Sequence, residues 1–197
     1  MAKSAGESPP GGAHDLVDGL ASAWRHEMPE IDRVQLEMTR RVARLGVILQ
    51  DRLQECLTPW GMTRADYSVI NVLRSIGEPY ELRPTDLHAR TLLTSGGVSN
   101  VLNRLEKSGL IERERDTRDG RGYWVRLTPR GVEVAESTMR AWAAEQDVLY
   151  RDVTPELART TSDALRQVLV AIGDLQPSAP KVREYASKAD GPDAASA

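Results

Sequence analysis

This 197-residue chain has one cysteine, three histidines and no long apolar run. The lone Cys56 excludes an intramolecular disulfide, and with His14, His26 and His88 scattered along the chain it builds no zinc site, so neither a metal nor another cofactor is expected. No stretch approaches the roughly 18 consecutive apolar residues that mark a membrane span. Residues 1–13 are rich in Ser, Pro and Gly without the hydrophobic block of a secretory signal, so a cytoplasmic location is expected. There is no glycine-rich phosphate loop following a strand, and the histidines stand in no motif with a nucleophile, which argues against an enzyme. The chain is not basic overall, with a formal charge of −3.

A hydrophobic content of 40% over this length suffices for one core with tails. Residues 1–13 read as a disordered leader and 177–197, with their Pro, Ala, Ser and Asp, as a disordered tail. Helical periodicity dominates between them. Leu16, Val17, Leu20, Ala23 and Trp24 give one face to a helix from Asp15 to Met28, which Pro29 breaks. A long helix follows from Ile31 to Leu57, carrying Val34, Met38, Val42, Leu45, Leu49 and Leu53 until Pro59 and Gly61 end it. Thr63 to Asp66 resembles a capping box opening a third helix through Tyr67, Val69, Ile70, Leu73 and Ile76. A short helix from Pro84 to about Arg90 has Arg83 where a small capping side chain is usual. Either an amide goes uncapped or the boundary lies one residue away.

The most informative segment runs from Thr94 to Arg130. Val98, Val101, Leu102 and Leu105 keep one apolar face, while Ser99, Asn100, Asn103, Arg104 and Lys107 fall largely on the other. Thr94 or Ser95 caps the start and Gly109 is a left-handed stop. Gly96 and Gly97 at the helix start point to close approach of another backbone, either DNA phosphate or a neighbouring helix. Two short strands follow, Leu110 to Arg115 and Tyr123 to Leu127, around a charged tip. Residues 94–130 carry a local charge of +3 inside an acidic chain. Phosphate attraction is local and screened within about 8 to 10 Å, so a basic segment is a better nucleic-acid signal than overall charge. Arg118 and Arg121 taken singly read as solvated, but Asp116 and Asp119 beside them can pre-orient a guanidinium. Thr128 and Pro129 then open a helix through Val132, Ala135, Met139 and Trp142, and Thr154 and Pro155 open another to about Leu175. Apolar stripes at both ends of the module leave more nonpolar surface than one lobe covers, which a two-fold partner would bury.

Several motifs together resemble the MarR family of bacterial transcription regulators. They are Gly61-Met62-Thr63, Leu82 to Leu87, Ser95 to Ser99, Arg104 to Ile111, Asp116 to Gly122 and Leu127 to Gly131. The expected fold is mainly α with a small β-hairpin wing. Residues 61–131 form a winged helix-turn-helix, flanked by N-terminal helices at 14–60 and C-terminal dimerisation helices at 132–176. The resemblance implies a homodimer on a pseudo-palindromic double-stranded DNA operator, usually as a repressor, with a small-molecule effector between the dimer helices and each lobe. Ser99, Asn100, Asn103 and Arg104 become candidates for base edges or nearby phosphates, and Ser95 for a phosphate. Arg121 becomes the minor-groove side chain, with Asp119 steering it and Arg118 assisting. Trp24, Met28, Arg40, Arg44 and Tyr67 are the corresponding pocket candidates, though a Trp or Met on an apolar helix face is more often core. Arg44, if it faces the cavity, favours an anionic aromatic ligand. A urate-binding branch uses a Trp, an Asp and an Arg. Here Trp24 resembles the first, but Ser68 and Val101 stand at the other two positions, which disfavours urate. Cys56 reads as a packed thiol, since the family's peroxide-sensing cysteine lies nearer the N-terminus. The competing reading is a winged-helix interaction or architectural protein without an effector.

Overall fold

Side-chain caps set most of the helix starts in the computed structural model, which describes residues 14–31, 34–116 and 122–180. Asp15 caps α1 (Leu16–Glu27) in a full capping box with Asp18. Thr63 and Asp66 do the same for α3 (Arg64–Ser75), with Asp66 filling the role usual for Glu. Thr128 and Thr154, each followed by proline, open α6 (Pro129–Leu149) and α7 (Pro155–Ala171). The long α2 covers Val34–Leu57, starting later than its apolar repeat suggests. Pro29–Ile31 instead forms a single 3-10 turn closed by the Ile31 amide on the Met28 carbonyl.

The helix-turn-helix consists of α4 (Pro84–Arg90) and α5 (Ser95–Lys107). Gly109, at φ 70°, turns the chain from α5 into β2 (Ile111–Arg115). The sheet has three strands where two are expected from sequence: β1 (Glu81–Leu82) lies antiparallel to β3 (Tyr123–Leu127), giving the order β1-β3-β2. Its register is Glu81 opposite Arg126 and Leu82 opposite Val125. Two residues are too short to show alternation, so this strand exists only through its partner.

The core sits in this lobe. Val69, Ile70 and Leu73 of α3, Leu87 of α4, Val98, Val101, Leu102 and Leu105 of α5, and Val125 and Leu127 of β3 are buried together, closed by Ala135 of α6 and Leu57 of α2. The expected apolar face of α5 is the buried one. Glycine packing falls elsewhere than expected. A Cβ built at Gly96 meets nothing within 4 Å and one at Gly97 meets only its own cap region, whereas one at Gly131 would lie 1.9 Å from the Leu110 carbonyl oxygen. The obligatory close approach is therefore between α6 and the entry to β2.

The outer helices are a different surface. No residue of α7 is buried, and Leu157, Leu169, Val170 and Ile172 are exposed. Leu16, Leu20, Trp24 and Met28 around α1, and Val34, Met38, Val42 and Leu45 on α2, are exposed as well. Arg41 of α2 fastens α1 through Asp15 at 2.8 Å and Asp18 at 2.6 Å, and is itself oriented by Glu37 one turn earlier on α2 at 3.0 Å. Residues 177–180, assigned from sequence to the tail, run past α4, where Arg90 donates to the Ser178 carbonyl at 2.6 Å. The expected leader 1–13 lies outside the described residues, as do 181–197.

Candidate nucleic-acid interface

Burying one face of α5 leaves the other as a polar ridge. Ser95, Ser99, Asn100, Asn103, Arg104 and Lys107 are all exposed on it. The Thr94 hydroxyl accepts from the Gly97 amide at 3.1 Å and fixes the first turn. Ser95, Ser99 and Asn100 stand at the N-terminal half of the ridge, the part of a recognition helix that reaches base edges.

Asn103 and Arg104 are tied back into the fold. Arg104 donates to Asp66 at 2.7 Å through Nη2 and at 3.2 Å through Nε, so α5 is pinned to the capping box of α3. Asp66 is buried, and a buried carboxylate calls for such a partner. Asn103 Oδ1 accepts from Arg113 of β2 at 2.7 Å. Arg113 also pairs with Glu106 at 3.3 Å and lies over the Tyr123 ring, 5.2 Å from its centroid. These bonds lock the recognition helix to its neighbours, with Asn103 and Arg104 at the rear of the ridge.

Asp116 ends β2 and its amide donates to the Gly122 carbonyl at 2.9 Å, closing the base of the hairpin tip. Arg118, Asp119 and Arg121 lie outside the described residues. Arg83 is the N-cap residue of α4 and makes no side-chain capping bond, which settles the alternative left open by the sequence in favour of an uncapped amide. Its guanidinium pairs instead with the buried Asp116 and lies 4.9 Å from the Trp124 ring centroid. Arg126 of β3 pairs with Glu112 of β2 at 2.7 Å. Arg113 and Arg126 within the basic segment, and Arg83 from outside it, thus brace the hairpin. Sequence reasoning missed Arg83 and Arg113 as braces, and the one available signal was an arginine standing at a capping position.

The pocket candidates are more scattered. Tyr67 is buried on α3, its hydroxyl 3.5 Å from Met139 Sδ, and burial pushes its pKa up. A concavity of about 430 Å³ lies alongside, between α3 and α6, lined by Asn71, Arg74, Ala135, Glu136 and Met139 among others. Trp24 and Met28 are about two-fifths exposed at α1, Arg40 is half-buried on α2 and Arg44 is exposed. None of these four lines that concavity, nor does Tyr67, which meets it through Met139. Burial, then the nearby Glu145, pushes the Cys56 thiol up, which keeps it protonated and poorly nucleophilic. Among the described residues no helix is long and apolar enough to cross a membrane.

Residues 60–122 match a MarR family model. The chain is 21% identical over 134 residues to the transcriptional regulator PecS of Dickeya dadantii, covering 68% of this chain and 81% of that protein. It is 28% identical to the transcriptional repressor Rv2887 of Mycobacterium tuberculosis, over 57% of this chain and 80% of that one. Among solved structures, it is similar to a MarR family transcriptional regulator from Streptomyces coelicolor in complex with DNA. There the TM-score is 0.62 and identity 28%, covering 73% of this chain and 88% of that chain. Wild-type MarR from E. coli shares the fold with a TM-score of 0.58 over 66% of this chain and 95% of its own. The polar ridge, the braced hairpin beside it and these likenesses agree: residues 60–122 match the MarR family, and the chain has the fold of its winged-helix regulators.

Proposed function

We propose that the protein is a sequence-specific DNA-binding transcription regulator, a repressor, which holds a pseudo-palindromic operator as a homodimer and is released by a small aromatic or anionic ligand. The observation that carries this reading is the exposed ridge of Ser95, Ser99 and Asn100 on a helix whose other face is core, with a hairpin braced alongside. Such a helix fits a major groove, while the adjoining hairpin reaches the flanking minor groove. The similar regulator from Streptomyces coelicolor, solved with DNA, supports the same placement.

In this reading Ser99 and Asn100 meet base edges, Ser95 meets a phosphate, and Asn103 and Arg104 act at the edge of the contact. Arg121, with Asp119 and Arg118, serves the minor groove. The homodimer is supported by the exposed apolar residues of α1, α2 and α7, which a second copy would cover. Trp24, Met28, Arg40, Arg44 and Tyr67 are proposed as the effector region between those helices and the lobe. An effector acts only through a difference in affinity between the DNA-competent spacing of the two lobes and other spacings.

Selection of duplexes from a random library tests the reading. The expected product is an inverted repeat that excess random DNA does not displace. Recovery of no consensus, or binding abolished equally by any duplex, contradicts it. Arg121→Ala should lower affinity and flatten its dependence on salt, and an unchanged slope removes Arg121 from the contact.

A further inference from the structure

We propose that Arg83 is a positioning residue for the wing. Its guanidinium latches the start of α4 to the base of the β2–β3 hairpin and thereby sets where the basic tip departs relative to α5. The inference rests on the DNA-binding reading above and goes beyond it in naming what aims the wing.

The sequence sacrifices a cap to place this arginine. Arg83 accepts from the Asp86 and Leu87 amides with its backbone carbonyl but gives α4 no side-chain cap, where Ser, Thr, Asp or Asn would. What it makes instead lies across the lobe. Asp116 is 7% exposed, and its carboxylate pairs with Arg83, itself largely covered. The planar guanidinium lies over Trp124, which is buried beneath it. A Cβ at Gly122 would come within 3.7 Å of Arg83 Nη1, so the guanidinium that pairs with Asp116 also lies beside Gly122, at the other end of the tip.

The sheet geometry explains why a latch is needed there. β1 and the preceding Tyr80 support β3 from Leu127 to Val125, whereas the β2–β3 ladder continues outward to Arg115 opposite Tyr123. The outer part of the hairpin therefore has no third strand, and a two-stranded ribbon alone is marginally held. Arg83 immediately follows β1 and reaches Trp124 and Asp116, extending the support to the hairpin's outer end. A tip that must enter a minor groove in step with α5 gains its direction from that contact.

The test uses the full-length protein on a duplex selected from the random library, with hydroxyl-radical footprints and affinity measured as a function of salt. Arg83→Ser supplies α4 with a proper cap while removing the latch. It should keep the circular dichroism of the wild type, bind about tenfold more weakly, lower the salt slope by about one and lose protection of the outer minor grooves while the major-groove protections persist. Asp116→Asn separates latching from a direct phosphate contact by Arg83. Removing an acid near DNA would tighten a direct contact, whereas loss of the latch weakens binding, and the double variant adds nothing further. Tighter binding by Asp116→Asn, or an Arg83→Ser protein with wild-type slope and outer protection, overturns the proposal. Should Arg83→Ser fail to fold, the Asp116→Asn footprint decides alone. A wild type that selects no duplex refutes the DNA-binding reading itself, a result distinct from either variant outcome.

Discussion

Replacing Gly131 with alanine should damage the lobe more than any other single methyl added to its glycines. The new Cβ would sit 1.9 Å from the Leu110 carbonyl oxygen and 3.3 Å from Leu127 Cδ2, while ordinary contact begins near 3.4 Å. Relief therefore requires about 1.5 Å of movement between two backbone segments, not the swing of a flexible side chain. The carbonyl that must give way also accepts from the Thr128 amide at 3.1 Å, so the displacement strains the bond joining β2's entry to the start of α6. Overpacking costs about 1–3 kcal/mol and a weakened hydrogen bond about 1 kcal/mol, so the total is about 2–4 kcal/mol. For a chain of this size that is a fall in Tm of roughly 5–15 °C. Thermal unfolding followed by circular dichroism at fixed protein concentration reads it directly. Gly96→Ala is the control: its Cβ meets open space inside a helix, so stability should rise by up to about 1 kcal/mol. A Gly131→Ala protein melting within a degree or two of wild type would refute the packing argument.

Thr94→Ala removes the acceptor for the Gly97 amide and should cost about 1 kcal/mol in chemical denaturation, with operator affinity falling further than stability alone explains. Arg41 holds the Asp15 carboxyl below the usual carboxylate range, and Arg74 does the same to Glu136. Carboxyls with lowered folded pKa values contribute stability that is present above their unfolded values and lost as pH falls through the folded ones. Both ties should therefore weaken on acidification below about pH 4. With the four tryptophans fluorinated, the Trp24 fluorine NMR resonance, assigned by its loss in Trp24→Phe, should report the loosening of α1 in that window, and Arg41→Ala should remove the α1 component. Deleting residues 155–197 exposes the surface that α7 is proposed to bury with a second copy, so sedimentation should show loss of the dimer. Urate added to the protein–operator complex should release nothing at micromolar concentration if Ser68 and Val101 stand, as the resemblance places them, where the urate-binding branch has an acid and an arginine.

What could be read from the sequence was what short-range chemistry decides. The bounds of α4 and α5 follow from Pro84, Thr94 and Gly109, each of which acts on its own turn. The apolar face of α5 was equally legible, since periodicity alone selects Val98, Val101, Leu102 and Leu105. Pairings between distant segments were not. Nothing local announces that Arg104 turns to Asp66, that Arg113 takes the Asn103 carbonyl or that Arg83 crosses to Asp116. Gly96 and Gly97 attracted attention by standing together, yet the glycine that backbone contact demands is Gly131, whose neighbour Leu110 lies on the far side of the hairpin. β1 was invisible because two residues carry no period. The proposed effector region was the least legible, since Trp24, Met28, Arg40 and Arg44 lie on or at the end of helices whose packing against the lobe no local pattern fixes.

In the proposed dimer two copies present their α5 helices one turn of duplex DNA apart. With Cys56→Ser removing the lone native thiol, a spin label at Lys107→Cys, at the end of α5 away from the proposed base contacts, allows the distance between protomers to be measured by pulsed dipolar spectroscopy on the selected operator. A single separation, set by helices about 34–36 Å apart, is predicted. Absence of any dipolar coupling, or a broad distribution that DNA does not narrow, would contradict the account.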